Sequence, residues 1–360
     1  MNEWWVAAVV VVALVVVVAG VLLAVRLRRE SVAVEPLQAE PEDRPLPAVV
    51  ANPLRVEPGA RARITAVCTS LGWAEPLWLE TTAEDPGTGQ ARRAVEQGAD
   101  VVLACGGDGT VRSVAQALAG TGVALGLVPM GTGNLLARSV GVPTDLTSAT
   151  RVALTGDDRT IDVGHVRVDG SDEERVFLVM AGTGLDAAIM QNTDEALKAR
   201  VGRLAYVITG FRAMFGPQTR VTLSVDDGPP LRRRSRTVVV GNIGTLLAGI
   251  VLMPDAAFDD GKLDIVNVAP KGLAGWIAVL LRVITRRRHG HPRIEHWQAR
   301  EVVITTEAPQ AAQIDGDPIG EVTELRMRIE PGVLVVRVPA GPEPLALPAG
   351  RSATELAQAA

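Results

Sequence analysis

The chain has few of the residues that build cross-linked or metal-clustered proteins. Only two of its 360 residues are cysteines, Cys68 and Cys105, which excludes a disulfide scaffold and a zinc site built from cysteines and favours a reducing, cytoplasmic setting. An excess of positive charge is also lacking, because 36 Lys and Arg stand against 41 Asp and Glu and leave a formal net charge of -5. The sequence therefore predicts no binding to nucleic acid through bulk positive charge.

Charge is absent from one long segment near the N-terminus. Residues 4–25 are apolar and uncharged, and roughly 22 residues at about 1.5 Å each span the hydrocarbon layer of a bilayer, which is about 30 Å thick. Arg26, Arg28 and Arg29 follow the segment, whereas a cleaved signal peptide carries its positive charges before a shorter apolar run. We therefore expect a retained transmembrane helix and a single-pass protein of the cell membrane, with the C-terminal bulk of the chain in the cytoplasm.

The composition changes repeatedly along the chain. Proline and acidic residues are frequent after the apolar segment, apolar runs then alternate with helix-like segments, and extended segments with little helix between them follow. The alternation predicts an α/β domain with a parallel sheet and crossover helices, and the later segments predict a second, mainly antiparallel domain. The predicted boundaries are a transmembrane anchor at 1–30, a linker at 31–47, an α/β domain at 48–150, a β-rich domain at 151–340 and a tail at 341–360.

Two glycine-rich segments each follow an apolar, strand-like run. Residues 105–110 read CGGDGT after the run at 101–104, and residues 131–134 read GTGN after the run at 123–128. Glycines at a strand-to-helix turn let phosphate oxygens approach backbone N–H groups at the positive end of a helix, and two such turns at neighbouring strand ends would line one crevice. A tight turn that only needs positive φ is the alternative interpretation.

Asp108 lies among the glycines of the first segment. A carboxylate there would repel a phosphate unless Mg²⁺ bridges the two or the carboxylate orients a substrate hydroxyl, so Asp108 indicates phosphoryl transfer rather than passive anion binding. Neither segment has the dinucleotide pattern GxGxxG with a ribose-binding acid, and neither has the P-loop pattern GxxxxGK[ST]. A nucleotide would have to be held in another way.

Several motifs in a fixed order carry a resemblance to a known family. They are Asn52-Pro53, Thr82 before Asp85-Pro86-Gly87, and the segments at 106–110, 131–134, 182–186, 258–264 and 314–317. From Val50 to about Val338, the chain resembles the bacterial diacylglycerol kinases and related lipid kinases, a group that includes sphingosine kinases and is distantly related to NAD kinases. Each motif alone is a weak signal, whereas the ordered set is specific.

The resemblance implies an ATP-dependent kinase in which a nucleotide-binding α/β domain and a C-terminal antiparallel β-sandwich domain flank the active site. By position, the residues that would contact ATP are Asn52, Thr82, Gly106, Gly107, Asp108, Gly109, Thr110, Thr132, Gly133 and Asn134. The resemblance also implies a structural Mg²⁺ held by the Asp260 carboxylate and by the backbone carbonyls of Lys262 and Ala257, and oxygen ligands suit that hard cation. An ordinary hairpin is the alternative for this Asp-Gly turn, and both interpretations can hold together.

In this family the acid of a late Asp-Gly-acid turn acts as general base toward the lipid hydroxyl that attacks the γ-phosphate. Asp317 and Asp315 are the two candidates for the base, and the choice stays open because the family usually has Glu at position 317. Leu135 stands where many members have Asp, so one carboxylate of the usual Asp–water–Mg²⁺ network is missing. Asp108 and Asp186 are the residues that could supply it.

The resemblance and the predicted anchor together favour a lipid kinase at a membrane surface, because tethering raises the effective concentration of a lipid substrate. Diacylglycerol is the leading substrate, with phosphatidic acid as the product, and the lipid and the bilayer are the expected partners. Two alternatives stay open: an NAD-kinase-like phosphotransferase acting on a soluble nucleoside, and a catalytically inactive nucleotide or lipid sensor. An exposed sheet edge in the second domain would also permit a homodimer.

Overall fold

The computed structural model describes residues 44–184, 218–244, 253, 255–270, 272, 275–276 and 294–341. The chain divides at Arg44, with residues 1–44 as one unit and residues 45–360 as the other. The elements and contacts given below belong to the second unit. Asp186, which the sequence suggests as a substitute carboxylate, lies outside the described residues.

The first half of the described chain builds a parallel sheet between helices. Its strands are β1 (Pro47–Ala51), β2 (Leu77–Glu80), β3 (Val101–Gly106) and β4 (Ala124–Pro129). Its helices are α1 (Ala60–Ser70), α2 (Thr88–Glu96), α3 (Asp108–Leu118), α4 (Leu135–Ser139) and α5 (Leu146–Thr155). The strands pair in the order β2-β1-β3-β4, all in parallel. Helices pack on both faces of this sheet, so β1, β3 and β4 are buried along their whole length and their sequences are continuously apolar.

The second half of the described chain is built from strands that pair mostly antiparallel. They are β5 (Asp157–Val168), β6 (Arg175–Phe177), β7 (Met180–Gly184), β8 (Thr219–Val225), β9 (Leu231–Ser235), β10 (Thr237–Gly241), β11 (Leu263–Val268), β12 (Ile294–Ala299), β13 (Glu301–Ile314) and β14 (Asp317–Val338). β13 pairs with β14, β8 and β7, and β7 pairs with β10. A separate apolar core lies on one side of these strands.

All 14 strands of the described residues join in one sheet, which corrects the predicted fold class of separate parallel and antiparallel sheets. The link is β14, which pairs antiparallel with β13 and β5 and then reaches β4, where Val336 pairs in parallel with Leu125. β14 is 22 residues long and its pairing with β5 is interrupted between Glu330 and Leu334. The sequence has Pro331 and Gly332 at this interruption, which separates the apolar runs of two shorter strands. In the structure the two runs form one strand.

The predicted fold class also contained a transmembrane helix, and this prediction is corrected as well. Within the part of the chain that the structure describes, no helix is long and apolar enough to cross a membrane. The longest of these helices, α1 and α3, have 11 residues each, and at about 1.5 Å per residue they reach roughly half of a bilayer's hydrocarbon thickness. The apolar segment at 4–25 lies outside the described residues, and the cell-membrane location predicted from it is not retained.

Candidate active site

The two glycine-rich turns meet at the carboxyl edge of the parallel sheet. Residues 106–110 lead from β3 into α3, residues 131–134 lead from β4 into α4, and β3 and β4 are neighbours. A Cβ atom on Gly131 would lie only 2.8 Å from the Cα atom of Gly107. The two turns therefore touch backbone to backbone, an approach that needs glycine.

Asp108 joins the two turns. Its carboxylate accepts hydrogen bonds from the backbone N–H of Asn134 at 2.8 Å and of Leu135 at 2.6 Å, which are donors at the start of α4 that the helix itself cannot satisfy. Burial raises the pKa of the Asp108 carboxyl above its ordinary value, the two N–H groups oppose this rise, and the negative charge of Asp317 adds to it. A Cβ atom on Gly133 would lie 2.6 Å from the Asp108 carboxylate, so this contact also needs a glycine.

Asn134 closes the second turn in the left-handed region, with a φ of 49°. Its side-chain oxygen accepts from the N–H of Gly131, and its Nδ2 donates to the carbonyl of Gly131, both at 2.9 Å. Asn adopts this conformation more readily than most residues. Thr132 is exposed at the tip of the turn. Leu135, at the position where the resemblance leads us to expect Asp in many members, is buried in the apolar core.

Three further residues that the sequence predicts as nucleotide contacts lie along the same edge. Asn52 directly follows β1, and its N–H donates to a carbonyl of β3 at 2.9 Å. Thr82 follows β2 and is exposed, whereas Thr110 is buried against Gly106. The structure thus places Asn52 and Thr82 at the same carboxyl edge of the parallel sheet as the two glycine-rich turns, where ligands of open α/β sheets bind, and it buries Thr110.

Asp315 lies in the turn between β13 and β14 and is only 4% exposed. Its carboxylate accepts three hydrogen bonds, from the backbone N–H groups of Leu178 at 3.0 Å, Val179 at 2.9 Å and Met180 at 3.0 Å. Burial raises the pKa of the Asp315 carboxyl, and the positive charge of Arg112 and the three N–H groups oppose the rise. Asp315 therefore anchors the hairpin to the backbone at the start of β7.

Asp317 lies two residues further along and has the opposite surroundings. Its side chain is 51% exposed, and its Oδ2 accepts a hydrogen bond from the Arg112 guanidinium at 2.7 Å. The same oxygen lies 3.3 Å from the position that a Cβ atom on Gly109 would take. The hairpin thus places Asp317 at the first turn of α3, directly beside the first glycine-rich turn.

The turn that carries the predicted magnesium ligands lies against β5 and β14. Asp162 of β5 is buried, and its two carboxylate oxygens accept hydrogen bonds from the N–H of Gly261 at 2.7 Å and from the N–H of Gly332 at 2.8 Å. Asp260 accepts a hydrogen bond from the N–H of Lys262 at 3.0 Å. Asp162 therefore fixes the turn to the interrupted part of β14.

Negative charge accumulates around this turn. Burial raises the pKa of Asp264 to about 6, and the charges of Asp260 and Asp255 add to the rise. Within the described ranges, no group of three or more His, Cys, Asp or Glu side chains is arranged to hold a metal ion. The predicted Mg²⁺ set has a different composition, with one carboxylate, of Asp260, and the backbone carbonyls of Ala257 and Lys262. Oxygen donors in a negatively charged turn fit the chemistry of that cation.

Comparison with known protein families matches both halves of the chain. Residues 60–166 match the family described as "Diacylglycerol kinase catalytic domain", and residues 179–338 match the one described as "YegS C-terminal NAD kinase beta sandwich-like domain". A Pseudomonas aeruginosa protein named "Probable lipid kinase YegS-like" is 34% identical over 281 residues, which are 74% of this chain and 85% of that protein. The chain belongs to this lipid kinase family.

The resemblance carried by the sequence motifs is thereby confirmed, and further relatives agree with it. A Staphylococcus saprophyticus protein named "Diacylglycerol kinase" is 29% identical over 235 residues, which are 64% of this chain and 74% of that protein. A crystal structure of a diacylglycerol kinase from Bacillus anthracis str. Sterne covers 82% of this chain and 97% of its own, with a TM-score of 0.60 at 20% identity, and so shares the fold. Membership of the lipid kinase family supports a nucleotide-binding transferase of the kinase class, with ATP as co-substrate.

Sequence reasoning does not predict two residues, Arg112 and Asp162, whose side chains bond to the motifs of this family. Arg112 bonds to Asp317, which lies 205 residues later in the chain, and Asp162 bonds to Gly261 in the predicted magnesium turn. Asp162 has a usable signal in the sequence, because it is an acid within an otherwise apolar part of a strand. Arg112 has a weaker one, since a basic residue on a helix is usually solvated.

Proposed function

We propose that this protein is an ATP-dependent lipid kinase that transfers the γ-phosphate of ATP to a lipid hydroxyl, with diacylglycerol as the leading acceptor and phosphatidic acid as the product. The main support for this proposal is the position of Asp317, whose carboxylate lies beside Gly109 at the start of α3. A base at this point would lie next to the phosphates that a glycine-rich turn binds. The names of the relatives favour a lipid acceptor over a soluble nucleoside.

The phosphates of ATP would bind at the two glycine-rich turns. α3 begins at Asp108, and its free N–H groups and positive end are directed toward the carboxyl edge of the sheet. The close contact between Gly107 and Gly131 brings the backbones of both turns to one place at this edge, where phosphate oxygens could bind their N–H groups. Asn52, Thr82 and Thr132, which lie at the ends of neighbouring strands or at the exposed tip of a turn, would contact the remainder of the nucleotide.

Asp108 would shape this site and would not take the proton, because both of its oxygens accept backbone N–H groups of the second turn. Mg²⁺, when bound with ATP, would supply neutralisation of the phosphate charge. A Mg²⁺ held by the Asp260 carboxylate and the carbonyls of Ala257 and Lys262 would stabilise the acidic turn. This second Mg²⁺ would be structural, whereas the glycine-rich turns would hold the phosphates.

Asp317 would be the general base. It is half exposed and bonds through Oδ2 to Arg112, whereas Asp315 is buried under three backbone N–H groups. As the lipid hydroxyl oxygen attacks the γ-phosphorus, its proton would pass to the other carboxylate oxygen of Asp317. The new P–O bond forms while the bond from the γ-phosphorus to the bridging oxygen breaks, and ADP leaves.

The test follows labelled phosphate from γ-labelled ATP in the presence of Mg²⁺ and the full chain. Mixed micelles carry diacylglycerol, ceramide or phosphatidylglycerol, and a parallel reaction offers NAD as a soluble acceptor. We expect label in diacylglycerol with the wild type and loss of that label in Asp317→Asn. Glu57→Gln is the matched control, because Glu57 is another exposed carboxylate paired with an arginine, and it should retain full activity.

Two outcomes would contradict the proposal. Labelled NAD without labelled lipid would assign the protein to the soluble-acceptor class. ATP binding without transfer to any acceptor would assign it to the catalytically inactive sensors.

A further inference from the structure

Arg112 connects the glycine-rich part of the site to the Asp317 hairpin. It lies one turn into α3, and its guanidinium makes two hydrogen bonds to the hairpin. Nη1 donates to the backbone carbonyl of Ile314 at 2.9 Å, and Nη2 donates to Oδ2 of Asp317 at 2.7 Å. One side chain thus joins two segments that lie 202 to 205 residues apart in the sequence.

This ion pair differs from an ordinary surface pair. The Arg112 side chain is 21% exposed, whereas Arg63 and Glu57 pair at 3.1 Å with 48% and 70% of their side chains exposed. An exposed pair contributes little, because two flexible side chains must be ordered in water. Arg112 is held at a second point by a backbone carbonyl, so its planar guanidinium fixes the carboxylate in both distance and direction.

The two bonds also determine which carboxylate oxygen of Asp317 stays available to accept a proton. Arg112 donates a hydrogen bond to Oδ2 of Asp317. Within the described part of the chain, this is the single hydrogen bond that the Asp317 carboxylate accepts. A Cβ atom on Gly109 would lie 3.3 Å from the same oxygen, which places the carboxylate over the first turn of α3. The distance between the phosphate-binding turn and the remaining carboxylate oxygen is therefore set through Arg112.

We propose that Arg112 is a positioning residue for phosphoryl transfer, which holds Asp317 so that its remaining carboxylate oxygen faces the acceptor hydroxyl at a fixed distance from the phosphate-binding turn. The inference rests on the proposed function, because it takes Asp317 as the base. Arg112 acts through Asp317, so its loss would slow the chemical step and leave the binding of ATP unchanged. A displacement of about 1 Å in a reacting group is enough to slow a reaction roughly 100-fold.

The first test measures kcat and KM for ATP and for diacylglycerol in Arg112→Met and Arg112→Lys. We expect Arg112→Met to lower kcat by about 100-fold while KM for ATP changes by less than about twofold. Arg112→Lys should recover part of the loss, because an ammonium group keeps the charge but lacks the planar fork. Arg63→Met, which removes the exposed pair, should change neither constant. An unchanged kcat in Arg112→Met, or a raised KM for ATP as its main effect, would overturn the proposal.

The second test combines Arg112→Met with Asp317→Asn. If Arg112 acts through Asp317, the double variant should be no slower than Asp317→Asn alone, and multiplied losses would overturn the proposal. Thermal unfolding of the same set reports the contact without any activity, and we expect the shifts in midpoint to be non-additive. A wild type that phosphorylates no lipid refutes the proposed function, whereas an active wild type with an unimpaired Arg112→Met refutes only the role of Arg112.

Discussion

The glycine-rich edge and the β13–β14 hairpin hold their carboxylates in different ways. At the edge, Asp108 accepts two backbone N–H groups and fixes the second turn against the first. In the hairpin the tasks are divided, because Asp315 binds three backbone N–H groups and Asp317 is held at one oxygen by Arg112. A carboxylate whose two oxygens both accept backbone N–H groups, as in Asp108 and Asp315, holds parts of the site together. The half-exposed Asp317 is bonded at a single oxygen, which leaves the other able to accept a proton.

Substitution of Asp317 should have the largest effect on activity. Asp317→Asn keeps the shape of the side chain and removes the proton acceptor, so we expect kcat to fall by about 1,000-fold, within the usual range for a general base. The thermal midpoint should fall slightly, because the side chain is 51% exposed and what it loses is the charge of its pair with Arg112. Steady-state transfer to diacylglycerol and a thermal melt measure the two quantities. A kcat within about threefold of the wild type would show that another group accepts the proton.

Substitution of Asp315 should act on stability. Asp315→Asn offers one acceptor oxygen where the carboxylate offers two, so at least one of three buried N–H groups loses its partner. We expect the free energy of unfolding to fall by about 3 kcal/mol, given about 1–3 kcal/mol for each orphaned group. Urea unfolding measures the change, with Glu57→Gln as the control. Wild-type stability together with a lost kcat would instead identify Asp315 as the base.

Substitution of Asp108 tests the contact between the two glycine-rich turns. Asp108→Asn retains one acceptor oxygen for two N–H groups, so we expect a loss of about 1–2 kcal/mol in unfolding free energy. The loosened second turn should also weaken ATP binding by about tenfold, which corresponds to roughly 1.4 kcal/mol. Calorimetric titration with ATP measures the affinity. An unchanged affinity would separate the contact from nucleotide binding.

Gly109 lies where the two regions meet, and its substitution should have the smallest effect. Gly109→Ala places a Cβ atom 3.3 Å from Oδ2 of Asp317, so the carboxylate must shift by a few tenths of an ångström. We expect kcat to fall by about threefold to tenfold, while stability stays equal or rises by up to about 1 kcal/mol because alanine favours the helix. Parallel kinetics and urea unfolding check both signs. An unchanged kcat would show that the reaction tolerates this displacement of the Asp317 carboxylate.

The sequence predicts those parts of the site whose partners are close in the chain. The glycine-rich turns each follow a buried strand and precede a helix, and this order is visible in residues 101–118 and 123–139. Position 133 needs glycine because a Cβ atom there would collide with the carboxylate of Asp108, which lies in the other turn. Both turns lie in adjoining βα units, so their meeting at one edge follows from the parallel sheet.

The sequence leaves the choice between Asp315 and Asp317 open, because the partners of both residues are far away in the chain. Leu178 lies 137 residues before Asp315, and Arg112 lies 205 residues before Asp317. The continuous sheet escaped prediction for a similar reason, since the contact of β14 with β4 joins distant segments. Local patterns carry no information on which distant backbone group satisfies a given carboxylate.

In the proposed mechanism Asp317, and not Asp315, accepts the proton of the lipid hydroxyl. The most direct measurement is the single-turnover transfer of labelled phosphate from ATP to diacylglycerol by Asp317→Asn and Asp315→Asn, at a temperature well below both unfolding midpoints. We expect Asp315→Asn to retain the rate within about tenfold and Asp317→Asn to lose about 1,000-fold. A folded Asp315→Asn that loses the reaction, beside an Asp317→Asn that keeps it, would show that Asp315 is the base instead.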